Sequence, residues 1–195
     1  MEHVQPQPPE PDPTEEKDWI DRLILLHERP LPGEMSEQQN AGEKCMWCSA
    51  GDPAKLRPLN GMLPVWPLRA CPACIEARGV KVKTFAVWAE HLADCAACQL
   101  GDHCPAAMPL AEAHAAAVET ATGSKLVNLI CCKVQEDVST PTVAPVTWIG
   151  SDSAYHSYVH VPKCRSPRRT KGVVRVVPKY AVPDDGATRN EEDRR

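Results

Sequence analysis

The apolar positions of this chain come in short, separated runs, and each run fixes a different local expectation. In DWIDRLILLHERP, Trp19, Ile20, Leu23, Ile24 and Leu26 recur at helical spacing and share one broad face. Asp12 as N-cap, Pro13 in the first turn and Glu15 as a reciprocal acid predict where this helix begins, and Pro30 ends it. The expected helix therefore occupies 14–30, after a Pro- and Glu-rich tail over 1–13 that is expected to be disordered. Residues 31–44, LPGEMSEQQNAGEK, carry no apolar period and read as a polar linker.

Further along, VKTFAVWAEHLAD aligns Phe85, Trp88 and Leu92 on a helix face. A second helix follows in PLAEAHAAAVETATG, with Pro109 near its start and Gly123 as its stop. KLVNLICCKVQ reads as a buried strand or a short helix, and its length and β-branched content favour strand. TPTVAPVTWIG and YHSYVHVPK are extended segments expected to pair, and GVVRVVPKYAV is a further short strand. Residues 181–195 are expected to be a disordered tail. The pattern predicts an α+β chain: a cysteine-rich region over 45–122, then a small mixed or β segment over 123–180.

Composition changes this picture in one respect. Only nine of 195 residues are aromatic and twenty are proline, so a single large core is not available. Chains of this kind are usually stapled by disulfides or by metal. The N-terminus has neither a basic start nor an apolar stretch, and no apolar run reaches the roughly 18 to 20 residues of a membrane span. A cytoplasmic location with reduced thiols is the expectation, and clustered cysteines there read as metal ligands.

Two clusters have ligand spacing. Cys45-x2-Cys48 and Cys71-x2-Cys74 are two knuckles separated by 22 residues of turn-forming spacer, the arrangement of a four-cysteine zinc ribbon. In HLADCAACQLGDHC, His91 and Cys95 are one helical turn apart and Cys95-x2-Cys98 is a third knuckle. Cys104 completes a set of three cysteines and one histidine. His103 is an alternative to Cys104. Consecutive sites rank ahead of a cross-braced pair, in which the same eight ligands would interleave. Four protein ligands on each of two Zn2+ ions imply structural rather than catalytic metal.

Other candidates carry less. His27, His114, His156 and His160 lack ligand spacing and read as surface or packed histidines, and Cys131-Cys132 as small buried side chains. Cys164 sits among Arg165, Arg168 and Arg169, which would lower its pKa and favour the thiolate, as in a redox sensor. The Cys48–Cys71 spacer contains no histidine, so the general base of an HNH nuclease is missing. Nor is there a P-loop, a dinucleotide-binding glycine pattern or a nucleophile elbow. No enzymatic activity and no small-molecule substrate is expected.

HLADCAAC resembles the HxxxCxxC signature of zinc-binding anti-sigma factors, with His91, Cys95 and Cys98 carrying the motif. Taken together, the C-x-W-C, C-x-x-C and H-x3-C-x-x-C elements resemble small actinobacterial zinc-ribbon proteins, whose Ala-, Arg- and Pro-rich composition this chain shares. These resemblances imply metal binding and, for the anti-sigma motif, a protein-binding regulator.

Charge supplies the last expectation. The net charge of -4 hides an alternation: residues 1–43 hold eleven acids against three bases, whereas Lys163 to Lys179 holds seven bases and no acid. Lys55, Arg57, Arg69, Lys81 and Lys83 in the first basic stretch, and Arg165, Arg168, Arg169 and Lys171 in the second, are the candidate nucleic-acid contacts. The partner is expected to be a nucleic acid or a regulatory protein, with no membrane involved.

Overall fold

The computed structural model describes residues 13–30, 32–59, 68–99, 103–149 and 154–161. The expected tails, the strand in GVVRVVPKYAV, and Cys164 with its neighbouring arginines lie outside the described residues.

Helix α1, Pro13–His27, lays Leu23 and Ile24 into the core, so the sequence periodicity corresponds to a real face. The segment expected as a featureless linker is structured. A 3-10 turn at Pro32–Glu34 leads to the one-turn helix α2, Glu37–Asn40. Ser36 and Gln39 form a reciprocal capping box, which satisfies backbone donors that a helix start otherwise leaves open. Polar residues hid this element because its work is hydrogen bonding: buried Gln39 also donates to the carbonyls of Cys45 and Met46, both at 3.1 Å.

A two-stranded antiparallel hairpin follows, β1 Arg57–Pro58 with β2 Arg69–Ala70. Directly after it, α3 runs from Pro72 to Asp94. The sequence periodicity finds only the second half of this helix. Its first turns hold the second C-x-x-C and a glycine, neither of which signals helix. The 23 residues span about 35 Å at 1.5 Å per residue. A short turn, α4 Ala96–Gln99, precedes α5, Ala107–Thr122, which ends at Gly123 in the left-handed conformation (φ 80°).

The C-terminal strands form two hairpins. In one, β3 Leu126–Asn128 pairs antiparallel with β4 Gln135–Asp137. KLVNLICCKVQ is thus not one strand: it breaks after Asn128 into a turn through Cys131-Cys132, with Lys133 left-handed at φ 61°. In the other, β5 Val143–Ile149 pairs antiparallel with β6 Ala154–His160, from Val143 opposite His160 to Ile149 opposite Ala154. A parallel bridge from Leu129 to Tyr158 ties the first hairpin to β6.

Two cores result, and α3 belongs to both. Leu23, Ile24, Met46, Leu56 and Leu68 gather around Ile75 and Val82 in its first half. Around Phe85 and Trp88 in its second half lie Ala111, Ala115 and Val118 of α5 with Leu129, Val138, Val143 and Tyr158. Among the described residues no helix is long and apolar enough to cross a membrane. The architecture is α+β, helices with small antiparallel sheets.

Candidate metal centres

Helix α3 has a cysteine cluster at each end. At its start, Cys71 is the N-cap and Cys74 lies in the first turn. The first knuckle is held opposite. Cys45 N–H donates to the Ala50 carbonyl (2.9 Å), Ser49 N–H to the Cys45 carbonyl (3.1 Å), and Met46 N–H to the Arg69 carbonyl of β2 (3.1 Å). Ser49 takes the left-handed conformation that closes this tight turn. The Sγ atoms of Cys45, Cys48, Cys71 and Cys74 all lie within 4.8 Å of one another and could hold a metal ion.

The second C-x-x-C thus opens a helix instead of a second hairpin, which departs from the two-hairpin ribbon the spacing suggests. Cys48 and Cys71 stand 3.7 Å apart. That matches the edge of about 3.8 Å in a tetrahedron with 2.3 Å metal–sulfur bonds. Burial raises the Cys45 thiol, but hydrogen bonds from the backbone of Cys48, Cys71 and Trp47 outweigh it and bring it down to about 7. Cys74 is pushed up, first by burial and then by its three sulfur neighbours. Four thiols this close compete for protons, and a cation removes the competition.

The wall behind this cluster is ionic. Glu28 at the end of α1 receives Lys81 (2.8 Å) and Arg78 (3.3 Å) from α3. Arg78 also lies over the Trp47 ring, 4.5 Å from its centroid, and the Trp47 indole N–H donates to the Glu28 carbonyl (2.9 Å). Arg57 makes two hydrogen bonds to the buried carboxylate of Asp21, at 2.5 and 2.7 Å. Of the candidate nucleic-acid contacts, Arg57 and Lys81 therefore face acids of α1, and Lys55 pairs with Asp52 (3.1 Å). Arg69 is half-buried on β2 and Lys83 is exposed on α3. Arg165, Arg168, Arg169 and Lys171 lie outside the described residues.

At the far end of α3, His91 sits in the last turn, and Cys95 caps the helix with its N–H on the His91 carbonyl (2.9 Å). Cys98 comes from α4, and Cys104 from the turn leading into α5. His91 Nε2 is 3.1 Å from Cys104 Sγ and 3.8 Å from Cys98 Sγ, and the four donor atoms lie within 4.8 Å. Cys104, not His103, joins this group; His103 sets its ring against Trp88. Cys95 is lowered by the Cys98 backbone N–H, while burial pushes Cys98 up to about 11. The two groups are consecutive along the chain and share no residue.

A third group was not legible in the sequence. Cys131, Cys132 and His160 also place their donor atoms within 4.8 Å. The reading of Cys131-Cys132 as small buried side chains and of His160 as a surface or packed histidine does not anticipate this grouping. Cys132 and His160 are 28 positions apart in the chain. The bridge of Leu129 to Tyr158 brings them together, because its parallel register sets 131 opposite 160. His114 and His156, by contrast, are packed inside the second core, beside Phe85.

Comparison with known families, with curated proteins and with solved structures finds no match to this chain. What it can do must be argued from these centres.

Proposed function

We propose that this chain is a zinc-binding regulatory protein in which two Zn2+ ions, one at each end of α3, are structural. The observation that supports this reading is that two sets of four donors, Cys45/Cys48/Cys71/Cys74 and His91/Cys95/Cys98/Cys104, converge separately. Thiolate-rich tetrahedral sets select Zn2+, and four protein donors leave no corner for a reacting water or substrate. Iron would suit the first set too. Metal analysis of purified protein is the test: zinc, bound by a colourless protein, is expected at both sets. Iron with visible absorption, or an apo protein that keeps its fold, would overturn it.

Within this reading the regulatory contact is with nucleic acid, through Arg165, Arg168, Arg169 and Lys171. Because Arg57 and Lys81 are engaged with Asp21 and Glu28, the weight of the contact falls on the later stretch. Its arginines suit bidentate contact with phosphate. Fluorescence anisotropy with duplex DNA and single-stranded RNA across a salt series tests it. Each phosphate contact on duplex DNA contributes about -0.9 to the slope of log K against log salt. Replacing Arg168 and Arg169 by alanine is expected to flatten that slope by roughly two contacts; binding with no salt dependence would end the proposal.

A second reading, a protein-interaction regulator like the anti-sigma factors, is favoured by one observation. Val80 and Val87 are 48% and 52% exposed, two turns apart on α3. Replacing both with glutamine, which adds no charge, is expected to abolish capture of a partner protein while leaving metal content and phosphate binding intact.

A further inference from the structure

We propose that Cys131, Cys132 and His160 form a third Zn2+ site, distinct from the two four-donor sets and built from three donors. It goes beyond the reading above and does not depend on it.

The distances are those of a coordination shell. The two sulfurs are 3.7 Å apart, and His160 Nδ1 lies 3.4 Å from Cys131 Sγ and 3.5 Å from Cys132 Sγ. A tetrahedral ion with bonds of about 2.3 Å to sulfur and 2.0 to 2.1 Å to nitrogen requires S···S edges of about 3.8 Å and N···S edges of about 3.6 Å. Without an ion, the Cys131 thiol donates to Cys132 Sγ and the Cys132 thiol can donate to the Nδ1 lone pair; the ion would replace those two thiol protons.

The surroundings complete the case. The Nε2 of His160 is 2.7 Å from a Glu136 carboxylate oxygen on β4. A carboxylate on the far nitrogen of an imidazole fixes the tautomer, turns the Nδ1 lone pair toward the ion and raises its basicity, as metal-bound histidines generally require. The His160 backbone N–H reaches Cys131 Sγ at 3.4 Å, as a donor stabilising a thiolate does. Two thiolates neutralise Zn2+. The three side chains are half-buried, so the ion is reachable from solvent.

Three donors leave one tetrahedral corner, which separates this site from the closed sets. The third ion is held less tightly and leaves first.

The decisive experiment counts Zn2+ by native mass spectrometry on the full chain loaded under reducing conditions. Three equivalents are expected, falling to two in the Cys131→Ser/Cys132→Ser double variant. Glu136→Gln is expected to keep the third equivalent at saturation but bind it roughly 10- to 100-fold more weakly in chelator competition. Should the double variant misfold, alkylation mapping of the wild-type chain serves instead. Cys131 and Cys132 should be protected when three ions are bound and become reactive with the first ion removed. Two equivalents in the wild type, or a third that survives loss of both cysteines, would overturn the proposal. Failure of the two structural sites would appear separately, as loss of the equivalents that remain in the double variant.

Discussion

His114 lies on α5, fully enclosed, and its hydrogen bonds have a direction. The Thr84 hydroxyl donates to the carbonyls of Val80 and Lys81, so it accepts from His114 Nδ1–H at 2.9 Å. His114 Nε2 then accepts from the Tyr158 hydroxyl at 2.8 Å. The imidazole is thereby neutral, with its proton on Nδ1. Burial, with the nearby Lys81 charge, holds its pKa down at about 3, and burial likewise pushes the Tyr158 hydroxyl up. The unfolded chain protonates His114 near 6.5, whereas the folded chain does not until about pH 3. Stability from this group is therefore present above pH 6.5 and declines as pH falls toward 3. Between pH 7 and pH 5 His114 alone contributes a loss of about 2 kcal/mol. A His114→Gln variant, followed by chemical denaturation at both pH values, should show a shallower decline than the wild type; equal slopes would remove His114 from the account.

Helix α3 links residue chemistry to the fold. Its middle carries Gly79, where a β-carbon would stand 3.3 Å from Ile20 Cγ2 and 3.9 Å from Ile24 Cδ1. The glycine lets α1 approach closely enough for Asp21 to meet Arg57 and Glu28 to meet Arg78 and Lys81. Alanine gains about 1 kcal/mol of helix propensity but crowds Ile20, so Gly79→Ala should be nearly neutral. Gly79→Leu has no such room and should cost about 1–3 kcal/mol in denaturant unfolding of the metal-loaded protein. An equally stable leucine variant would mean that α1 does not pack as described. Among the described residues β5 pairs with β6 alone, so Pro145 is tolerated within it, on a strand with an open edge where a missing N–H costs nothing.

At the scale of the molecule, two modest cores share one helix whose ends are each fastened by a cysteine cluster. Few aromatics and many small alanines leave little apolar area per residue, so ions held by these clusters, as proposed, would carry much of the stability. On that proposal, losing the ion at the far end should fray α4 and the last turns of α3, while Val82 to Trp88 stays protected by both cores. Hydrogen exchange on Cys98→Ser, compared with the wild type, checks this. Fast exchange confined to residues near 91–99 is expected, with a lower melting temperature. Uniform loss of protection would instead mean that the molecule unfolds as a unit once either end is released.

Local features were legible along the chain. The apolar face of α1, the run of α5 to its left-handed glycine, and the ligand intervals within each C-x-x-C and from His91 to Cys95 follow from spacings of a few positions. Helical and knuckle geometry turn such intervals directly into proximity. The remainder depends on contacts between segments far apart in the chain. Only packing shows that the second knuckle opens a 23-residue helix, or that Gln39 braces the first through main-chain carbonyls. Only packing spends the charges of Arg57 and Lys81 inside the molecule. And only the register between Leu129 and Tyr158 sets Cys131 and Cys132 against His160, since a strand pairing across so many residues leaves no period in the chain.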